Sequence, residues 1–210
     1  MLTWSTPEAN AVYLEITKVA ATELAATGFA AAARAAQILS DAACSSLTSP
    51  NHSACSPGCS TCCIVNVAIL EPEAAAIAEY LRQTKTPSAI ESLRQKIERL
   101  QQQTFGLDHL DRVIAACPCA FLDPSGCCSI HPSRPLLCRS ISSTSADDCR
   151  QAMTLLAEGR EHPITCHIAQ REIYEAAFCG LANGMEQQGM DSSSHRLTDI
   201  ILPYLTTPPN

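Results

Sequence analysis

Nine of the chain's thirteen cysteines fall in two short segments, CSPGCSTCC at 55–63 and CPCAFLDPSGCCSIHPSRPLLCR at 117–139. An even spread would put about two there, so the general preference of cysteine for apolar interiors does not produce the pattern. Thiolates separated by two or three residues can reach one soft metal ion while the intervening amides donate to sulfur. The first segment offers Cys55, Cys59, Cys62 and the adjacent Cys63, with Pro57 and Gly58 supplying a turn and Ser56, Ser60 and Thr61 supplying short hydroxyl donors. In extended backbone Cys62 and Cys63 point to opposite sides. The expectation is therefore that one of them belongs to the core, or that the centre holds more than one metal.

A disulfide framework fits less well. The N-terminus, MLTWSTPEANAVYLEITKVA, places Glu8 and Glu15 ahead of the first basic residue, Lys18, unlike a secretory leader. The expected compartment is cytoplasmic, where thiols stay reduced. Thirteen is odd, and the vicinal pairs Cys62/Cys63 and Cys127/Cys128 could bridge only with strained geometry. At 210 residues and 46% hydrophobic, the chain can bury a core without covalent staples. A net charge of −7 with only 14 Lys and Arg argues against a nucleic-acid partner, and the uncharged stretch 24–33 is too short to cross a membrane.

The order of residues resembles the CxxCxxCC cysteine-cluster family (YkgJ type), described as zinc- or iron-chelating. CxxxCxxCC at 55–63 is followed about sixty residues later by CAFLDPSGCCSIHPSRPLLCRSISSTSADDC from Cys119 to Cys149. The family's second half reads approximately CPFLdxxGxCsIYxxRPxxCRxfxSxdxxxC, so the likeness covers roughly 55–149 and includes the RPxxCR signature. Carried over residue by residue, it implies Cys55, Cys59, Cys62, Cys63, Cys119, Cys128, Cys138 and Cys149 as metal ligands. Cys117 and Cys127 depart from that pattern, as spare ligands, redox partners or packed thiols. His131 stands where the family has Tyr and reads as a supporting residue ahead of a ligand. Cys166 and His167 read as lying outside the centre, Cys44 and Cys179 as helical core.

Arg134 and Arg139 have two readings. Four thiolates around zinc or an oxidised four-iron cluster leave a charge of about −2, which a guanidinium offsets. Alternatively the arginines pair with Asp123 or Asp147 and fix the loop.

Eight or nine thiols exceed what one structural zinc needs, so zinc and an iron-sulfur cluster fit equally, with copper(I) behind them. The leading function is a non-catalytic metal- or cluster-handling or redox module, whose partner is the metal itself, with no nucleic acid and no membrane. It follows from abundant thiols without GxSxG, HExxH or a phosphate-cradling loop. The alternative is an iron-sulfur enzyme of the radical S-adenosylmethionine type, such as a protein methylase. CxxxCxxC at 55–62 coincides with that signature, and some larger relatives of the resembled family resemble flagellin lysine methylases. That chemistry calls for a partial α/β barrel, which the sequence does not suggest. A disulfide-exchange enzyme using CPC at 117–119 lacks the surrounding thioredoxin-like pattern.

The elements that must carry these residues read as mainly α: a helical bundle enclosing irregular cysteine-rich loops, in a single cysteine-cluster domain over 1–210. Its parts are an N-terminal helix within 1–50, a metal-binding core at 55–149 and C-terminal helices within 150–210. Residues 6–43 predict one long helix capped by Thr6 and Pro7, with Gly28 as its weak point. Amphipathic spacing and caps predict helices at 71–83, 86–103, 107–116, 145–158, 164–188 and 196–205. SLTSPNHSA before the first cluster and the terminal TTPPN are the candidates for disorder.

Overall fold

The computed structural model describes residues 3–47 and 53–206, so most of SLTSPNHSA and of the terminal TTPPN lies outside the described residues. Within them the helices are α1 (Pro7–Ala26), α2 (Phe29–Ser45), α3 (Glu71–Thr84), α4 (Pro87–Gln103), α5 (His109–Ile114), α6 (Leu136–Ser140), α7 (Ala146–Ala157), α8 (Ile168–Gln187) and α9 (Leu197–Thr206). The fold is mainly α as expected. Its one sheet among the described residues is a two-stranded antiparallel pair, β1 (Ala68–Ile69) with β2 (His195–Arg196).

The long N-terminal helix is a correction. Gly28 sits at φ +94°, where glycine alone carries no side-chain penalty, and the chain breaks there into α1 and α2, which pack on each other. Ala-rich faces favour that doubling back, because two helices bury more of them together than one helix can alone. Thr6 does not cap α1 with its side chain; its amide and hydroxyl both reach the Glu172 carboxylate of α8, at 2.9 Å. Elsewhere side chains cap where the sequence suggests, at Thr86 and Ser145, and Asp108 adds a cap inside the predicted 107–116. Thr86 Oγ1 accepts the Ala89 amide at 3.2 Å, Asp108 Oδ1 that of Asp111 at 2.8 Å, and Ser145 Oγ that of Asp148 at 3.1 Å.

Two hydrophobic cores result. In the first, α1, α2 and α8 close over Ile16, Leu24, Ile173, Leu181 and Met185, and Leu136 of α6 is buried with them. Gly180 and Gly184 let α8 approach α1: a Cβ at 184 would lie 2.7 Å from the Ala20 Cβ. The second core joins α3, α4 and α9 through Ile77, Leu81, Ile97, Leu100 and Ile201, with Phe121 and Ile130 contributed by the second cysteine loop. Each buried aliphatic or aromatic side chain contributes roughly 1.5–3 kcal/mol. The cysteine segment 119–138 is thus pinned to one core by Phe121 and Ile130 and to the other by Leu136.

Candidate metal centre

Tight turns shape the first cysteine segment. Cys59 N–H donates to Ser56 O and Cys63 N–H to Ser60 O, both at 2.9 Å, and Val65 N–H to Cys62 O at 3.3 Å. The second is knotted by Asp123, whose Oδ1 accepts from Ser125 N–H (2.8 Å), Ser125 Oγ (2.6 Å) and Cys127 N–H (2.9 Å). Lys96 of α4 holds the same loop by donating from Nζ to Leu122 O at 2.7 Å. The loops touch directly. Cys119 N–H donates to Cys63 O at 2.7 Å, and Gly126, at φ +80°, lies against the backbone of Gly58, at φ +87°.

That contact gathers the thiols around one cavity of about 550 Å³. Seven of the eight predicted ligands line it: Cys55, Cys59, Cys62, Cys63, Cys119, Cys128 and Cys138. Cys149, on α7, lies outside the wall but within electrostatic reach of Cys55, Cys62 and Cys59. Cys127 and His131 also line the cavity, whereas Cys117, Cys166, Cys44 and Cys179 do not. All thirteen thiols are free. The adjacent pair behaves differently from the extended-chain expectation: residues 61–64 form a turn, so Cys62 and Cys63 both face the cavity. Among the described residues, no group of three or more Cys, His, Asp or Glu side chains is arranged to hold a metal ion. The thiols surround a space and do not yet converge on a point.

Burial sets their protonation. Desolvation pushes the Cys119 and Cys128 thiols up and Cys138 well above the usual range, with neighbouring cysteines adding to the shift of Cys119 and Cys138 and Asp123 to that of Cys128. Cys62 goes the other way, down to about 6, because the Cys63 thiol stabilises its thiolate while keeping its own proton, and Arg134 adds positive charge. His131 is lowered by burial and by Arg134 and Arg139, which leaves a neutral imidazole at neutral pH.

The two arginines of the RPxxCR signature divide their roles. Arg139 does not pair with Asp123 or Asp147. It donates from Nη1 to both oxygens of Asp41 on α2 (3.1 and 2.9 Å), from Nε to Arg134 O (2.8 Å) and from Nη2 to Pro132 O (2.9 Å), and Tyr174 of α8 donates to the same Asp41 at 2.8 Å. It is a strut that fixes the loop ahead of Cys138. Arg134 lines the cavity, and its buried Nε has no hydrogen-bond partner. A second wall residue, Arg112, is 3% exposed with Nε and Nη1 both unpartnered. Clustered thiols facing the unsatisfied Arg134 donor fit a thiolate-bound metal, whose excess negative charge such a donor offsets.

Sequence reading did not single out Arg112 or Glu73. Glu73 is fully buried, and its carboxylate accepts the Leu70 amide at 3.0 Å and the Leu136 amide at 2.8 Å, tying the start of α3 to the start of α6. A signal for it existed: an acid at the third position of a Pro-initiated helix reaches back to the preceding amide. Nothing in the pattern around Arg112 distinguishes it from a surface arginine.

A family model named CxxCxxCC, with the description "putative zinc- or iron-chelating domain", matches residues 54–167. No curated protein and no solved structure matches the chain.

Proposed function

Because the chain belongs to the CxxCxxCC family, whose model spans more than half its length, we propose that it is a cysteine-thiolate metal-binding module acting as one unit over 1–210. Its ligands are drawn from Cys55, Cys59, Cys62, Cys63, Cys119, Cys128, Cys138 and Cys149, and the metal is zinc or iron, the latter as an ion or an iron-sulfur cluster. The observation that carries this reading is the gathering of seven of those eight thiols, distant in sequence, around one cavity together with the unpartnered Nε of Arg134. Bound metal would supply Lewis acidity or, as iron, electron transfer. The chain's own residues bring the thiols together: Gly58 and Gly126 allow the loops to touch, Asp123 and Lys96 hold the second loop, and Arg134 offers charge compensation. Ligation asks the two loops to draw closer and the buried thiols to give up their protons. The role is metal or cluster handling or redox transfer, without a catalytic partner set, in the cytoplasm.

The radical S-adenosylmethionine reading gains no support from the fold, since the described residues contain only the two-stranded sheet in place of a partial barrel. The test is metal and acid-labile sulfide analysis of tag-free protein purified without oxygen. Zinc, or iron with matching sulfide, at one or more equivalents per chain is expected in the wild type and at less than half that in Cys62→Ser and Cys138→Ser, while Cys44→Ser and Cys179→Ser keep their metal. Wild type without metal would refute the reading.

A further inference from the structure

The cavity holds more than a thiol cluster. Its volume of about 550 Å³ lies within the ~300–1,000 Å³ of small-molecule sites, and a metal ion or cluster fills only part of it. Val65, Val67, Leu100, Phe121 and Leu197 give the wall an apolar portion that takes no part in metal chemistry. Beside them stand two guanidinium groups that the thiols do not account for. Arg112, from α5, is 97% buried by its 3% exposure, and its Nε and Nη1 find no acceptor. Arg196, from β2, lies close enough for its charge to press on Arg112, and spends its own donors on Thr104 O (3.4 Å) and Leu107 O (2.7 Å). Neither forms an ion pair with a carboxylate among the described residues.

Two like charges side by side, one of them buried with empty donors, are costly unless an anion joins them. Among the described residues the Cys117 and Cys119 thiols lie within electrostatic reach of Arg112, and neither accepts a hydrogen bond from its Nε or Nη1. A guanidinium recognises carboxylate and phosphate in the same way, through charge-assisted hydrogen bonds.

We propose that the part of the cavity walled by Arg112 and Arg196 binds a small organic anion, one carboxylate or phosphate group on an apolar body, next to the thiol cluster. This goes beyond the metal reading and does not depend on it.

Isothermal titration of the full chain with hexanoate, hexyl phosphate and hexan-1-ol tests the proposal, with metal content measured on every sample. The expected result is saturable binding of at least one of the two anions, an alcohol at least about tenfold weaker, and a loss of at least about tenfold in Arg112→Gln at unchanged metal content. The tighter of the two anions identifies the head group. Should Arg112→Gln fail to fold, Thr198→Trp, which narrows the cavity from a half-buried position beside Leu197 and Arg196, must weaken the anion by a similar factor. Equal affinity for the alcohol, undiminished binding in the variant that folds, or no saturable binding of either anion at millimolar concentration would overturn it. Loss of metal in folded Arg112→Gln would also overturn it, by assigning Arg112 to the thiolates. Anion binding to a wild type that carries no metal would leave this proposal standing while the metal reading failed.

Discussion

A Cβ placed on Gly126 would lie 3.1 Å from the carbonyl oxygen of Gly58, the closest approach available to the two cysteine loops at that point. The contact is backbone against backbone, so no side chain can move aside to relieve it. Gly126→Ala also forces a side chain into φ +80°, a cost of roughly 1–2 kcal/mol on its own. The expected outcome is a protein that still folds, with its helical circular dichroism intact, but binds zinc at least about tenfold more weakly. Competition against a chromogenic chelator measures it; unchanged affinity would show that the loop contact does not shape the centre.

Glu73 carries the second prediction, through its acceptance of the Leu136 amide at the start of the helix that bears Cys138. Burial raises its carboxyl from the ordinary 4.5 to about 7, against the pull of the two amides and Arg139. Between those values the folded protein binds more protons than the unfolded one, so the contribution of Glu73 to stability is full below about pH 4.5 and declines as pH rises through about 7. Denaturant titrations should show wild type losing on the order of 3 kcal/mol relative to Glu73→Gln across that window. Glu73→Ala, which leaves both amides unpaired, should be destabilised by about 1–3 kcal/mol per orphaned donor. A difference between wild type and Glu73→Gln that stays constant with pH would contradict the assignment.

Gly184 separates folding from metal binding. Alanine there places its Cβ 2.7 Å from that of Ala20 and 3.0 Å from the Ala21 amide nitrogen, so α1 and α8 must part. The loss should be about 1–3 kcal/mol in thermal or denaturant unfolding, with metal stoichiometry of the folded protein unaltered because the centre lies on other elements.

Much of this was legible beforehand. Thr86 and the Ser/Thr/Asp cluster at Ser145 announced their helices because a cap is a local hydrogen bond, and the cysteine spacing announced a gathered set of thiols because turns fix short-range geometry. What lay beyond reach depended on distant partners. Gly28 looked like a weak spot in one helix, since only the packing of α2 on α1 reveals that it reverses the chain. Cys62 and Cys63 looked divergent, since the turn at 61–64 is specified by its contacts with Cys119 and not by its own residues alone. Arg139 could be read as a loop-fixing residue, but Asp41, its acid, lies 98 positions away and carries no sequence signal.

Metal uptake should be strongly proton-coupled. The Cys119, Cys128 and Cys138 thiols are pushed up by burial and must deprotonate to ligate, whereas Cys62, lowered by the Cys63 thiol and Arg134, gives up its proton more readily. Zinc titrations in two buffers of different ionisation enthalpy should therefore show release of more than one proton per metal at pH 7, and affinity should climb as pH rises from 6 to 8. Release of no protons would mean that the buried thiols are not ligands.

X-ray absorption at the metal edge of protein purified without oxygen tests the central claim most directly. The account predicts a first shell dominated by sulfur at about 2.3 Å, lost together with bound metal in Cys62→Ser and Cys138→Ser. A shell made of nitrogen and oxygen, or a sulfur shell that survives both substitutions, would contradict it.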